Sequence, residues 1–471
     1  MVSMAVPTDR IAHRRAGVVL FTTSLGVFIA QLDSQVVNLA IKSIGSDLNA
    51  GINALQWVID SYNLFYATLL LTGGTLGDLY GRARVFAIGI GLIVLGSIVC
   101  AAAPNSAILI AGRAITGIGA ALEVPTSLAM LTVAYAEDKE RARAIGIWAS
   151  CNGLAIAAGP TIGGLLVDAA GWRSIFILVV PVSVLAMVLA MRRVPESSDP
   201  EGRHLDPAGQ TLAIAALGAL SFATIEGPHW GFASPMILAL IVVCVVSGVL
   251  FVLWQRGRPG ALVPLDFFRN RVFNAALAVA GMMTFGMYAM LFLTPLYLQS
   301  LGGISAFMVG LALLPLSVTF VIVSQYSGAL VKRFGPRAMM TAGMAAMGVG
   351  LLLLTGVSAT PNMALIETAL LIIGAGLGLN TGPVNTVAVA SVPPARSGTA
   401  SGLVNTSRMV GATLGVAVLG ALFAVHASDN RPEAMISGLR LAYLGGAIVE
   451  LTGALIALVF IHNDAIRQKG A

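Results

Sequence analysis

Apolar stretches of about 18 to 26 residues recur along this chain from end to end, each long enough at 1.5 Å per residue to cross roughly 30 Å of hydrocarbon. Fourteen can be counted, near 17–40, 54–76, 85–103, 107–135, 144–167, 174–191, 208–226, 235–254, 272–299, 306–330, 338–357, 363–390, 399–425 and 438–461. With 57% hydrophobic and only 10% charged residues among 471, too few polar groups exist to cover a soluble globule. The chain reads as an all-α integral membrane protein.

The basic residues orient it, because Lys and Arg accumulate in cytoplasmic loops. With the N-terminus inside, Lys42, Arg173, Arg431 and Arg440 fall on the outer side and Arg113 and Arg408 fall within windows. The rest of the 27 Lys and Arg, Arg10, Arg14, Arg15, Arg203, Arg467 and Lys469 among them, fall on the inner side. Both termini are therefore expected in the cytoplasm, at the cell (inner) membrane. The net charge of +6 is a mark of topology, and no nucleic-acid partner is expected. Trp57, Trp148, Trp172, Trp230 and Trp254 each fall at a window end, where indole prefers the headgroup zone. Cys100, Cys151 and Cys244 fall within windows, so no disulfide framework is implied. The basic start and first apolar run lack a small-residue cleavage site and read as a retained first helix.

A repeat appears at an offset of about 253 to 254 residues. Gly74-Thr-Leu-Gly-Asp78-Leu-Tyr80-Gly81-Arg82 returns as Gly328-Ala-Leu-Val-Lys332-Arg-Phe334-Gly335-Pro-Arg337, Asn152 falls opposite Asn405, and Arg143 opposite Arg396. The chain divides into six windows (17–191), an inserted pair (208–254) and six more (272–461). Linkers near 190–207 and 255–271 are polar and rich in turn formers.

These residues resemble the major facilitator superfamily, and within it the 14-span drug:proton antiporter branch of multidrug efflux type. The resemblance implies two six-helix bundles plus two inserted helices. The loop carrying Gly74, Asp78, Gly81, Arg82 and Arg84 is similar to the family's signature between helices 2 and 3, which latches the cytoplasmic side. Here Asp78 could cap the third helix or pair with Arg82 and Arg84; a plain surface ion pair is the competing reading. Leu109-Ile-Ala-Gly-Arg113-Ala-Ile-Thr-Gly117 resembles the family's Arg-bearing fourth helix, with Thr116 where Gln is usual. Gly159-Pro160-Thr-Ile-Gly163-Gly164 is similar to the Gly-Pro motif of exporters, in which small residues let helices approach and Pro frees a carbonyl.

Intramembrane acids are the functional candidates, because a carboxylate at mid-helix costs roughly 2.5 to 3.5 kcal/mol on insertion scales. Asp33, in Leu32-Asp33-Ser-Gln35-Val-Val-Asn38, lies about 22 Å from the inner end of its helix, with Gln35 and Asn38 as polar companions. Burial raises a carboxyl pKa and a nearby cation lowers it, so Arg113 could tune a proton site there; alternatively, Arg113 merely holds carbonyls of the first helix. Glu123 stands where an apolar residue would serve. Ten positions after Arg113, it is about 80° away around the axis and about 15 Å along it, so the two are not a direct pair. It is expected to line the central cavity as a second acid, the alternative being a pairing with another helix. Asp60 and Asn63, one turn apart, could contribute. Glu367, Arg408 and Glu450 are weaker candidates. Met287, 254 positions after Asp33, leaves the second half without the equivalent acid.

The expected function is proton-coupled export of lipophilic, cationic or zwitterionic compounds by alternating access; the alternative is a same-fold transporter of a defined metabolite or endogenous amphiphile. The partners expected are small-molecule substrate, protons and the lipid bilayer, with no cofactor and no metal. An enzyme or ATP-driven pump finds no support, because there is no Gly-x4-Gly-Lys-Ser/Thr loop and no His-Glu-x-x-His, and the five histidines do not cluster.

Overall fold

The computed structural model describes residues 8–200, 204–258, 261–393, 396–427 and 431–462, with side chains described from residue 16 and excepting that of Asp138. Arg203, Arg467 and Lys469, and the side chains of Arg10, Arg14 and Arg15, lie outside the described residues. The described chain is helical: α1 (Thr8–Asp47), α2 (Ile52–Tyr80), α3 (Arg82–Ala101), α4 (Ser106–Ala134), α5 (Asp138–Ala170), α6 (Arg173–Arg193), α7 (Pro207–Trp230), α8 (Pro235–Gln255), α9 (Arg271–Ser300), α10 (Ala306–Ala312), α11 (Leu314–Leu354), α12 (Met363–Ala390), α13 (Ser397–His426) and α14 (Pro432–Phe460). A single 3-10 turn, Leu265–Arg269, precedes α9.

Among the described residues, twelve helices are long and apolar enough to cross a membrane, two fewer than the fourteen windows of the sequence. Residues 306–354 count as one 49-residue helix, although the backbone leaves helical geometry inside it at Gly335 (φ 83°, ψ 158°). The other difference is α2, whose buried face carries Gln56, Asp60, Asn63 and Asp78.

Helix approach is set by small residues, as expected where lipid tails remove any hydrophobic drive between helices. Gly89 of α3 and Gly119 of α4 face each other so closely that a Cβ on either would meet the other's carbonyl oxygen, at 2.7 Å and 2.6 Å. Gly343 of α11 and Gly376 of α12 repeat that contact. A second repeated contact joins Arg173 to the Ala103 carbonyl (3.1 Å) and Arg440 to the Val357 carbonyl (2.8 Å). The turn glycines repeat as well: Gly81 (φ 105°) and Gly335 (φ 83°) both hold the left-handed region that glycine adopts without a Cβ penalty.

In the first set of helices α1 packs on α4, α5 and α6, α2 on α4, and α3 on α4 and α6; in the second, α9 packs on α12, α13 and α14, and α11 on α12 and α14. Between the sets α2 meets α13, α5 meets α10, and α1 meets α9. α7 packs on α8, α2 and α13, while α8 leaves most of its apolar surface bare, Val242 and Leu253 being 59% and 56% exposed. Such a surface suits hydrocarbon rather than water.

α7 is stitched to α2 by polar side chains along its length. Glu226 accepts from Asn53 Nδ2 (3.2 Å) and Trp57 Nε1 (3.0 Å), and Gln210 donates to the Thr68 carbonyl (2.9 Å) and accepts from Thr72. Asp206 caps the start of α7, accepting from Gly209 N (3.0 Å), and also accepts from Trp254 Nε1 (2.8 Å) and Gln255 Nε2 (2.6 Å) at the end of α8. Burial works against its charge, but these donors and Arg258 outweigh it and hold the Asp206 carboxyl below the usual carboxylate range.

Candidate functional site

Asp33 on α1 is 1% exposed and meets a partner 80 residues away in sequence: Arg113 Nη1 on α4 lies 2.5 Å from Asp33 Oδ2. The Arg113 Nε donates to the Val58 carbonyl of α2 (3.2 Å), and its guanidinium stacks over the Tyr62 ring, 4.5 Å from the centroid. Tyr62 in turn donates to the Ala30 carbonyl (3.1 Å). Three helices thus meet on one ion pair. α4 comes this close to α2 because Gly117, one turn along from Arg113, lies against the Tyr62 backbone.

A buried ion pair is poor stabilising material, because desolvation offsets the attraction, but removing one partner strands the other at a cost of about 3–5 kcal/mol. Arg113 binds a carbonyl of α2 rather than only carbonyls of α1, and it holds the acid directly. Asp33 Oδ1 has no hydrogen-bond partner among the described residues.

The other candidate residues are not gathered at this pair. Glu123 is fully buried, and its carboxyl group packs against Gly26 of α1 and Phe86 of α3, inside the first set of helices. Neither of its oxygens has a hydrogen-bond partner among the described residues, so the alternative of a cross-helix pairing is not what the structure contains. Asp60, also fully buried, lies against the Ser221 hydroxyl of α7, placing it on the inserted pair's side of α2. Asn63 and Asn38 are buried, and Gln35 is buried with its Cβ against Gly159 of α5. Glu450 on α14 is fully buried against Gly286 of α9, so the second set does hold a carboxyl group, supplied from another helix.

In the loop after α2, Asp78 pairs with Arg82, one of the two partners the sequence offered, and the cap of α3 comes from elsewhere. Asp78 accepts from Arg82 Nε (3.0 Å) and Nη2 (2.7 Å) and does not cap α3. That cap comes from the linker after α6: Glu196 accepts from Ala83 N (3.0 Å) and Arg84 N (3.1 Å). Backbone bonds from Arg82 N to Ser197 O and from Asp199 N to Asp78 O, each 2.9 Å, complete the clamp. The positive φ of Gly81 and the absence of a Cβ make room for the Glu196 carboxylate.

The Gly-Pro motif sits between the two sets. Gly159 and Gly163 receive Gln35 and Val36 of α1, Gly164 lies against the Ala306 carbonyl, and Gly310 lies against the Pro160 carbonyl. Four residues after Gly164, Asp168 caps α10, accepting from Ala306 N (3.1 Å) and Phe307 N (2.8 Å). Gln56 donates to Val416 O (3.0 Å), Lys42 to Gln299 O (2.5 Å) and Gln299 to Leu39 O (3.0 Å) near the same end of the molecule. Toward the opposite end, a Cβ built on Gly146 of α5 or Gly398 of α13 would meet nothing within 4 Å.

Side chains that the sequence did not single out line the junction between the sets. Tyr288 of α9 reaches Ser34 and Gln31 of α1 and faces Arg408 of α13. Tyr62 and Tyr66 of α2 lie close to Tyr288. A tyrosine in an apolar run carries no local signal of function, and only the docking of α9 on α1 brings these rings together.

A bundle of apolar helices with a buried ion pair between α1 and α4 and a repeat linking its halves defines a multi-pass membrane protein of the transporter type. The chain belongs to the Major Facilitator Superfamily, whose pattern matches residues 23–416. It is 40% identical over 409 residues to the multidrug resistance protein Stp of Mycobacterium tuberculosis (strain CDC 1551 / Oshkosh), covering 87% of this chain and 76% of that protein. It is 35% identical over 458 residues to the methylenomycin A resistance protein of Bacillus subtilis (strain 168), covering 96% of each. Among solved structures, the peptide transporter POT in complex with sulfate shares the fold with a TM-score of 0.68 at 17% identity, over 93% of each chain.

Proposed function

We propose that this protein is a proton-coupled exporter of lipophilic, cationic or zwitterionic compounds, working by alternating access between two six-helix bundles, 17–191 and 272–461, with 208–254 as an inserted pair. In this reading the chain crosses the cell (inner) membrane fourteen times with both termini in the cytoplasm, the break at Gly335 dividing 306–354 into two spans and α2 providing another. The observation that carries the proposal is the buried Asp33–Arg113 pair, a carboxylate held at mid-membrane by a cation that a proton or a cationic substrate would displace. Glu123 acts as a second acid within the first bundle, and Gln35 and Asn38 on α1 and Asp60 and Asn63 on α2 are further buried polar candidates. The resistance and multidrug names of the relatives support export of drug-like compounds.

Hydrogen bonds between the bundles cluster at the end that the basic residues assign to the outside, so this conformation corresponds to a cytoplasm-facing state. The Asp78–Arg82–Glu196 clamp and the Gly159–Pro160 contacts are the inner and outer elements that rearrange when the bundles rock. The test is dye export from loaded vesicles. A cationic dye should leave against its gradient, export should collapse on adding a protonophore, and Asp33→Asn should abolish it; export indifferent to both would remove the proton from the account.

A further inference from the structure

Two arginines, Arg113 and Arg408, lie deep within apolar windows, and their surroundings differ. Arg113 is matched to Asp33, a carbonyl and an aromatic ring. Arg408, on α13 about 17 Å from the start of that helix, has no such match: Nη2 donates to the Thr381 carbonyl (3.0 Å), Nη1 lies 3.5 Å from Asn405 Oδ1, and Nε is buried without a partner. Among the described residues no carboxylate lies within 4 Å of it. The residue as a whole keeps some accessible surface. Its position is fixed: Thr284 of α9 donates its hydroxyl to the Arg408 carbonyl (2.5 Å).

What Arg408 faces is the junction of the bundles. Tyr288 of α9 lies within electrostatic range of Arg408 and near Gln31 and Ser34 of α1, with Tyr62 and Tyr66 of α2 in the same neighbourhood. A guanidinium presents five donors in a planar fork that fits two oxygens of an oxyanion, and a charge left in a membrane interior without a counter-ion is a site awaiting one. Glu123 lies near Tyr66 with its carboxyl group against Gly26 of α1 and forms no salt bridge to Arg408 among the described residues, and Asp33 is taken by Arg113.

The geometry points to Arg408 as the recognition group for an anionic substrate: a lipophilic acid whose carboxylate or ionised phenol pairs with the guanidinium while its ring system rests toward Tyr66 and Tyr288. This rests on the reading of the protein as a transporter that takes its cargo between the bundles. It extends the cargo to compounds carrying a negative group, zwitterions among them.

The test is equilibrium binding to purified full-length protein, with naphthalene-1-carboxylate and its uncharged methyl ester as the paired probes. The expected result is a carboxylate bound at least about tenfold more tightly than the ester, a ratio falling to about one in Arg408→Met and intermediate in Arg408→Lys. A wild-type ratio near one overturns the proposal without recourse to any variant, as does an unchanged ratio in Arg408→Met. Ethidium export from vesicles is measured alongside: its absence with the binding ratio intact would defeat the exporter reading and leave the anion site standing.

Discussion

The Asp33 carboxylate and the Arg113 guanidinium lie 2.5 Å apart with side chains 1% and 2% exposed, in a chain whose helices are built to sit in hydrocarbon. The pair is held by three helices, so its breaking and making is coupled to how α1, α2 and α4 sit on one another. Asp33→Leu or Arg113→Met alone strands a buried charge and is expected to destabilise by about 3–5 kcal/mol, whereas the double variant, with no charge left, recovers most of that loss. Thermal unfolding of the four proteins in one detergent decides it; additive effects would show that the two charges are not coupled.

Glu196 caps a helix 113 residues away in sequence. Glu196→Ala removes the acceptor for the first amides of α3, at about 1 kcal/mol, while the Asp78–Arg82 pair survives. Amide hydrogen exchange should accelerate at residues 83–86 and stay unchanged at 90–100. Exchange unaltered at 83–86 would mean that the cap carries no weight.

Asp168 plays the corresponding part between the bundles, capping α10 from α5. Asp168→Asn should speed exchange at residues 306–308 and, by weakening the outer closure, raise the fraction of molecules open to the outside. Distance measurements between spin labels on α5 and α10 would show a second, longer population; an unchanged distribution counts against the closure.

The carboxyl of Asp206, held below the usual carboxylate range by its donors despite its burial, ties α7 to α8. A lowered folded-state pKa means that its contribution is present above the unfolded-state value near 3.8 and is lost as pH falls through the lower folded one. Asp206→Asn should therefore loosen the start of α7 at neutral pH, seen as faster exchange at 207–211 and altered Trp254 fluorescence. The difference from wild type should vanish in strong acid, and a difference that grew with acid would reverse the sign of this argument.

Gly119 and Gly146 make a control pair. A Cβ at Gly119 meets the Gly89 carbonyl and Ile93, whereas one at Gly146 meets open space. Gly119→Val should cost at least about 1–3 kcal/mol through overpacking, and Gly146→Val should leave the melting temperature within a degree or two. Equal effects would show that helix contact at Gly119 is not what limits stability.

Much of the frame was legible because it is periodic or repeated: apolar windows report helices, and the matched loops at Gly81 and Gly335 report the two halves. The contact of Arg113 with Asp33 was legible only as a possibility, since the sequence separates them by 80 residues and contact depends on how α4 docks. Asp60 turned toward α7 because a helix can present a polar residue to a neighbour that its own sequence does not name. Glu196 carries no local capping signature, as its helix lies elsewhere in the chain. Arg408 is only a weaker candidate in the sequence, and the lack of a carboxylate within 4 Å among the described residues becomes visible only in three dimensions.

Proton coupling at Asp33 is the central claim, and proton release on substrate binding tests it most directly. Ethidium added to purified protein in weakly buffered solution near neutral pH should acidify the medium with the wild-type chain and leave it unchanged with Asp33→Asn while the dye still binds. Equal acidification by the two proteins, or binding without any proton release from the wild type, would contradict it.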